Sequence, residues 1–307
     1  MRASTNLAMQ QQWNEPKMFD LEAYVICKEY LSNKDRRIAE YCIQLIELVS
    51  RESNAGCLRI LDIGSGEGSL LQKIIAGLDI SGFAGRGIEI EVDCVEPDKR
   101  AQHYLDDLAA FAREKGVRVV LNYQPIESFL VEKAKCYDIV LSIHSLYHIN
   151  MSQWGSLLVH ISRIINKNGA LLVDLVSRRS SIYQIYEDVL HQVERLGLPR
   201  TFDIDGWLYF SENLNPLFFS VFPSAQLHHL KSQIVFPQDV LFKCRQALRE
   251  HNMSKCELST FLAFMFRITP SNLLIAAKDE LAQVVALGNG EVNFDSEDDL
   301  FIWRCTT

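Results

Sequence analysis

The chain has 307 residues, 48% of them hydrophobic, and a formal net charge of −8. That length and apolar content suffice to bury a full core, as one large domain or as a core with a cap. The acidic balance argues against a nucleic-acid or anionic-membrane surface, which would need clustered Lys and Arg, and favours a small uncharged or cationic molecule as partner. No stretch approaches the apolar length that spans a bilayer, and residues 1–20 contain no apolar signal core, so the expectation is a cytoplasmic protein. Eight cysteines are scattered without a CxxC pair, mostly in apolar segments, and read as reduced core residues with no disulfide or metal role.

Residues 1–18 are polar and rich in Gln, Asn and Ser. Helical spacing of apolar residues follows over 19–31 and 35–50, separated by the polar pair Ser32-Asn33. Strands and helices then alternate: strands at 58–63, 90–95, 117–121, 137–143 and 170–176, and helices at 67–76, 98–115, 127–133 and 152–166. Such a βα series predicts a doubly wound, mostly parallel sheet. The repeat stops near Ser177, and residues 181–223 mix helix with an aromatic loop containing Trp207, Tyr209, Phe210, Phe218 and Phe219. A strand is predicted over 227–236, then helices at 239–250, 256–266 and 271–287. In the last segment, 290–305, the polar run Asp295-Ser296-Glu297-Asp298-Asp299 lies between apolar arms, which fits a hairpin.

The most informative run is Leu61-Asp62-Ile63-Gly64-Ser65-Gly66-Glu67-Gly68. A buried strand ends in glycines that let the backbone turn sharply and approach a ligand where a Cβ would collide. The next strand ends in Val95-Glu96-Pro97, and the Glu96 carboxylate is suited to accept hydrogen bonds from both hydroxyls of a ribose. A dinucleotide fingerprint would have glycine where Ser69 stands, and a P-loop would carry a Lys-Ser or Lys-Thr pair that is absent. The pattern therefore describes a nucleoside pocket without phosphate chemistry and points to S-adenosylmethionine, with Asp62 favouring the cationic end of that ligand.

Ligands of open α/β sheets lie outside the carboxyl ends of the strands, at the switch in strand order. In Asn122-Tyr123-Gln124-Pro125-Ile126-Glu127, a polar group can read an adenine edge while Ile126 packs on its face; the run serves equally as a capped turn before a helix. The fourth strand runs through Ile143 to His144-Ser145-Leu146-Tyr147-His148, placing His144 where donor and acceptor would meet, although a histidine beside an apolar strand is also an ordinary core residue.

The glycine loop, Glu96-Pro97 and the fourth-strand run resemble class I S-adenosylmethionine-dependent methyltransferases over roughly residues 58–176. Shorter matches at both ends, among them Tyr24-Val25, Tyr30-Leu31, Val176-Ser177, Phe261-Leu262 and Phe301-Ile302, are similar to the histamine N-methyltransferase family and related small-molecule methyltransferases. The resemblance implies a seven-stranded Rossmann-like sheet. It divides the chain into a tail and helical lid over 1–57, a cofactor-binding core over 58–176, a substrate cap over 177–226 and C-terminal strands and helices over 227–307. The cofactor set it implies is Asp62, Gly64, Ser65, Gly66, Gly68, Glu96, Pro97, Gln124, Pro125, Ile126 and Ile143. The implied acceptor-binding set is Tyr24, Tyr30, Arg36, His144, Tyr147, Tyr186, Phe261 and Glu297, with His144, Tyr147 and His148 as candidates for catalysis and no metal.

Three of these positions depart from the family. Arg36, beside Asp35, stands where the family has an amine-binding glutamate, His144 where it has a glutamine, and Glu297 near its terminal asparagine. Asp35 and Glu297 retain anionic recognition and Arg36 suits a carboxylate, a combination that a zwitterionic amine would satisfy. The expected reaction is methyl transfer to the nitrogen of an amine, amino acid or imidazole. O-methylation of a small carboxylic or hydroxylated acid and a non-catalytic cofactor-binding subunit are the alternatives. His144 and Glu297 are expected to face one pocket, with aromatic side chains forming its walls.

Overall fold

The computed structural model describes residues 28, 31–53, 55–132, 135–181, 191–192, 195–197, 210–236, 242–243, 246 and 292–305. The chain forms two compact units: residues 32–180, 205–233 and 295–307 carry nearly all of the sheet, and residues 1–31, 181–204 and 234–294 form the other, of which few residues are described. The expected helices at 19–31, 239–250, 256–266 and 271–287 fall almost wholly outside the described residues.

The first helix described in full, α1, is Ser32–Glu52. Its buried residues Ile38, Cys42, Leu45, Ile46 and Val49 recur at helical spacing, and it packs on the strands Tyr137–Ile143 and Ile165–Val176. Of the lid expected over 1–57, residues 32–52 form a helix anchored by burial, at roughly 1.5–3 kcal/mol for each large aliphatic side chain, and residues 1–27 lie outside the described residues. The alternating core follows as β1 (Cys57–Ile63), α2 (Ser69–Gly77), α3 (Ile80–Gly85), β2 (Glu89–Val95), α4 (Gln102–Glu114), β3 (Val117–Asn122), α5 (Ile126–Glu132), β4 (Tyr137–Ile143), α6 (Met151–Ile164) and β5 (Ile165–Val176). Helix α7 (Ser211–Val221) and strands β6 (Gln226–Phe236) and β7 (Val292–Arg304) complete the described elements. No described helix is long and apolar enough to cross a membrane.

Seven strands form one sheet in the order β3-β2-β1-β4-β5-β7-β6. Strands β1 to β5 are parallel, and β7 runs antiparallel to β5, with Val173 opposite Phe301. Every residue of β4 is buried, as expected of a central strand covered on both faces. Because β1 lies between β2 and β4, the direction of winding reverses at the β1/β4 boundary, and the carboxyl ends of these strands define the crevice.

Two sequence expectations need correction at the C-terminal side. Residues 292–304 form one continuous strand in place of the expected hairpin: the polar run Asp295–Asp299 lies inside β7 because cations meet its carboxylates on both faces. The proposed cap over 177–226 is split between the two units, and α7 covers the sheet. Its Phe218 is fully buried, with ring centroids 4.9 Å from Phe222 and 5.1 Å from Phe301.

Candidate active site

The crevice begins with the glycine loop after β1. Gly64, Gly66 and Gly68 all have positive φ, which glycine adopts without the steric penalty of a Cβ. A Cβ on Gly64 would stand 2.5 Å from Ser145 Cβ, so the absent side chain lets the end of β4 approach the loop. A Cβ on Gly66 would meet nothing within 4 Å and would project into open space. The loop is fixed by Gly64 N–H donating to Val95 O at 2.8 Å and by Gly68 N–H donating to Ser65 O at 2.9 Å.

Glu96 is the anchor of the neighbouring strand end. Its Oε2 accepts from Gly66 N–H at 2.8 Å and its Oε1 from Asp98 N–H at 2.9 Å. Each oxygen keeps further acceptor capacity, and the two amides hold the carboxylate at one orientation before any ligand arrives. Burial pushes the Glu96 carboxyl above the usual carboxylate range, against the lowering effect of those two amide bonds. A fixed carboxylate beside an open glycine turn fits the ribose and backbone-approach requirements of S-adenosylmethionine. Asp62 is buried at the end of β1, Ser65 Oγ donates to Asp62 O at 3.2 Å, Pro97 and Pro125 are exposed, Gln124 is half-buried, and Ile126 and Ile143 are buried.

The other side of the crevice is built on β4, β5, β7 and α1. His144 follows β4 with φ of 50°, in the left-handed region where non-glycine residues are uncommon and strained. Its N–H donates to Asp174 O at 3.1 Å, and its Nε2 lies 2.9 Å from Asp174 Oδ2 and 3.9 Å from Asp298 Oδ1. Lys34 Nζ pairs with Asp298 Oδ1 at 2.9 Å. Asp174 and Asp298 are both fully buried. Burial pushes the Asp298 carboxyl up and the Asp174 charge adds to this, while Lys34 and His144 oppose it. His144, Asp174 and Asp298 offer ligand-type atoms within 4.8 Å of one another, but the Lys34 ammonium already supplies the cation of this cluster.

The turn that carries His144 is tied down from behind. Trp154, fully buried in α6, donates its Nε1–H to Leu146 O and Ile149 O, both at 3.0 Å. Tyr147 is half-buried, its ring centroid 6.4 Å from that of His144 and 4.5 Å from that of His148, which is exposed.

Glu297 is not brought together with His144. Side chains alternate along β7, so Glu297 and Asp299 share one face while Asp298 turns to the other. Glu297 pairs with Arg179 Nε at 2.8 Å and Lys231 Nζ at 3.2 Å, and these hydrogen bonds, Arg179 foremost, hold its carboxyl below the usual range. Asp299 pairs with Arg179 at 2.7 Å and with His229 Nδ1 at 2.5 Å. The structure brings His144 to Asp298, one residue further on, and not to Glu297.

Arg36 needs the same correction. It is exposed, and its guanidinium donates to Asn33 Oδ1 at 3.2 Å. Helical rotation places Arg36 about 200° from Lys34, and the buried Lys34 is the cation that reaches the cluster. Asp35 is buried and pairs with Lys73 at 2.9 Å. Tyr24, Tyr30, Tyr186 and Phe261 lie outside the described residues. Lys34, Asp174 and Asp298 were not singled out from the sequence. The available signal was charge inside apolar strands: Asp174 interrupts a buried run, and Asp298 precedes Leu300-Phe301. Cys42, Cys57, Cys94, Cys136 and Cys305 are free thiols, and burial pushes those of Cys42 and Cys94 upward.

Similar solved structures include a SAM-dependent methyltransferase from Archaeoglobus fulgidus at 14% identity and TM-score 0.46, covering 92% of this chain and 99% of that one. The cyclopropane synthase MmaA2 from Mycobacterium tuberculosis is 13% identical with a TM-score of 0.41, covering 84% of this chain and 82% of its own. A phosphoethanolamine N-methyltransferase 2 from Haemonchus contortus is 13% identical with a TM-score of 0.44, covering 86% and 52% respectively. No curated protein sequence matches the chain. Residues 32–231, more than half of the chain, match the family described as "Methyltransferase domain". They span the glycine loop, Glu96, His144 and Asp174 together, and the chain belongs to this family of S-adenosylmethionine-dependent methyltransferases.

Proposed function

We propose that this methyltransferase acts on a nitrogen of a small amine-type acceptor. The observation that carries this reading is the buried pair Asp174 and Asp298 beside His144, next to the turn that abuts Gly64. With a neutral imidazole, two carboxylates outweigh the single Lys34 ammonium, and such a low-dielectric negative cluster favours a cationic or proton-donating group. Once bound, S-adenosylmethionine supplies an electrophilic methyl group whose sulfur departs without needing a proton. The chain's part is then to hold the acceptor in line, exclude water and receive a proton. Glu96 and the glycine loop hold the nucleoside end, and Asp62 lies at the end of β1 where positive charge is favoured. His144, with Tyr147 beside it, lies on the acceptor side.

O-methylation of a hydroxylated acid is the second reading, favoured by the His144–Asp174 contact, since a hydroxyl nucleophile requires a base more strictly than an amine does. Incubating the protein with S-adenosylmethionine and panels of amines, amino acids, imidazoles and hydroxylated acids, followed by product mass and methyl position, tests the proposal. Methyl on nitrogen is expected. Methyl found only on oxygen would select the second reading.

A further inference from the structure

We propose that Asp174 is the positioning residue that fixes His144 in the tautomer protonated at Nε2, leaving Nδ1 as the proton acceptor of the methyl-transfer step. The inference deepens the acceptor reading above and rests on it for the identity of the proton donor. Its geometry stands apart. Asp174 meets His144 at two points: its carbonyl oxygen accepts from the His144 N–H at 3.1 Å, and its Oδ2 lies in ion-pair contact with Nε2 at 2.9 Å. These two contacts account for a non-glycine residue kept at a φ of 50°.

Electrostatics select the tautomer. Nε2 faces Asp174 from β5 and, at 3.9 Å, Asp298 from β7, so the hydrogen on that nitrogen meets negative charge, whereas a lone pair there would be repelled. The Asp174 carboxylate is fully buried and neither of its oxygens has an aligned hydrogen-bond partner, so Nε2, in contact at 2.9 Å, is the donor within its reach, and leaving it without a proton would be costly. The surrounding charges are Lys34 from α1, which pairs with Asp298, and Asp62 from β1; the thiol of Cys42 on α1 lies in the field of Asp174 and Asp62. The Cys42 thiol is pushed up by burial and stays neutral. The imidazole is 19% exposed, so the ring is open to solvent although Nε2 is not.

In the reaction, the acceptor nitrogen donates its electron pair to the methyl carbon as the carbon–sulfur bond breaks and sulfur keeps that bonding pair. The acceptor's N–H proton goes to Nδ1. The imidazolium so formed sits against Asp174, which keeps its own charge and takes no proton.

The test uses 15N-labelled full-length protein without acceptor. The His144 resonances are assigned by their loss in His144→Gln, and the ring tautomer they report at alkaline pH is compared among wild type, Asp174→Asn and Asp298→Asn. The expected neutral tautomer in the wild type carries hydrogen on Nε2. Asp174→Asn is expected to shift the neutral ring toward the tautomer protonated at Nδ1, and Asp298→Asn to shift it less because its contact is longer. A wild-type tautomer protonated at Nδ1 overturns the proposal, as does a shift in Asp298→Asn equal to or larger than that in Asp174→Asn. The wild-type tautomer decides alone if a variant does not fold. Since no acceptor is present, a failure of N-methylation in the substrate panels remains distinguishable from a failure here.

Discussion

The two sides of the crevice are built on different principles. On the β1/β2 side, the cofactor groups come from two short contiguous runs, and backbone amides do the holding: Gly66 and Asp98 N–H fix Glu96. On the β4/β5 side, four charged or titratable side chains from α1, the end of β4, β5 and β7 meet in a buried cluster: Lys34, His144, Asp174 and Asp298. The first arrangement needs only local geometry. The second depends on the packing of segments up to 264 residues apart (34 to 298), and every partner in it is exposed to loss of its counter-charge.

The largest effect should come from breaking the first side. Glu96→Ala is expected to weaken S-adenosylmethionine binding by roughly 2 to 4 kcal/mol, or about 30- to 900-fold, through loss of paired charge-assisted hydrogen bonds. Calorimetry on the folded variant checks it, and an affinity within about twofold of wild type would remove Glu96 from the cofactor site. Breaking the second side should act on the fold. Lys34→Met leaves Asp298 buried without its cation, and the protein should lose about 2 to 3 kcal/mol of stability at neutral pH, below the usual range for a severed buried pair because Asp298 can take a proton. Urea unfolding should show the loss shrinking as the pH falls, and an equal loss at all pH values would mean that the charge of Asp298 is not its cause.

A smaller effect separates backbone strain from side-chain chemistry at His144. Glycine is ordinarily less stabilising than alanine inside folded chains, but at a φ of 50° the order should invert, with His144→Gly more stable than His144→Ala by about 1 kcal/mol. Thermal melts of the two variants decide it; alanine equal to or better than glycine would show that the left-handed backbone is not imposed by its surroundings.

The subtlest contrast is in pH dependence. Glu96 has a folded-state pKa raised chiefly by burial, so its contribution to the stability of the ligand-free protein is present below its ordinary pKa and lost as the pH rises through the raised one. Cofactor affinity should run the other way. It should fall by up to about tenfold per unit as the pH drops through the raised pKa, beginning above the pH at which an ordinary glutamate titrates. Affinity unchanged down to the ordinary glutamate range would contradict this.

The sequence alone determined the βα order, the parallel core strands and the cofactor-binding signature, because those rest on local rules: apolar runs for buried strands, glycine where φ is positive, a carboxylate at the next strand end. Strand β4 matches its sequence expectation residue for residue, at Tyr137–Ile143. The tertiary structure decided the acceptor side. Arg36 and Lys34 are both cations near the start of one helix, and only the packing of α1 on β4 and β5 selects Lys34. Glu297 and Asp298 are adjacent acids, and only the register of β7 against β5, with Asp298 opposite Val176, turns Asp298 toward His144. A polar run such as Asp295–Asp299 reads locally as a turn, since its charges are costly to bury alone. Partners far away in the sequence make it a strand: Lys34 on one face and Arg179, His229 and Lys231 on the other.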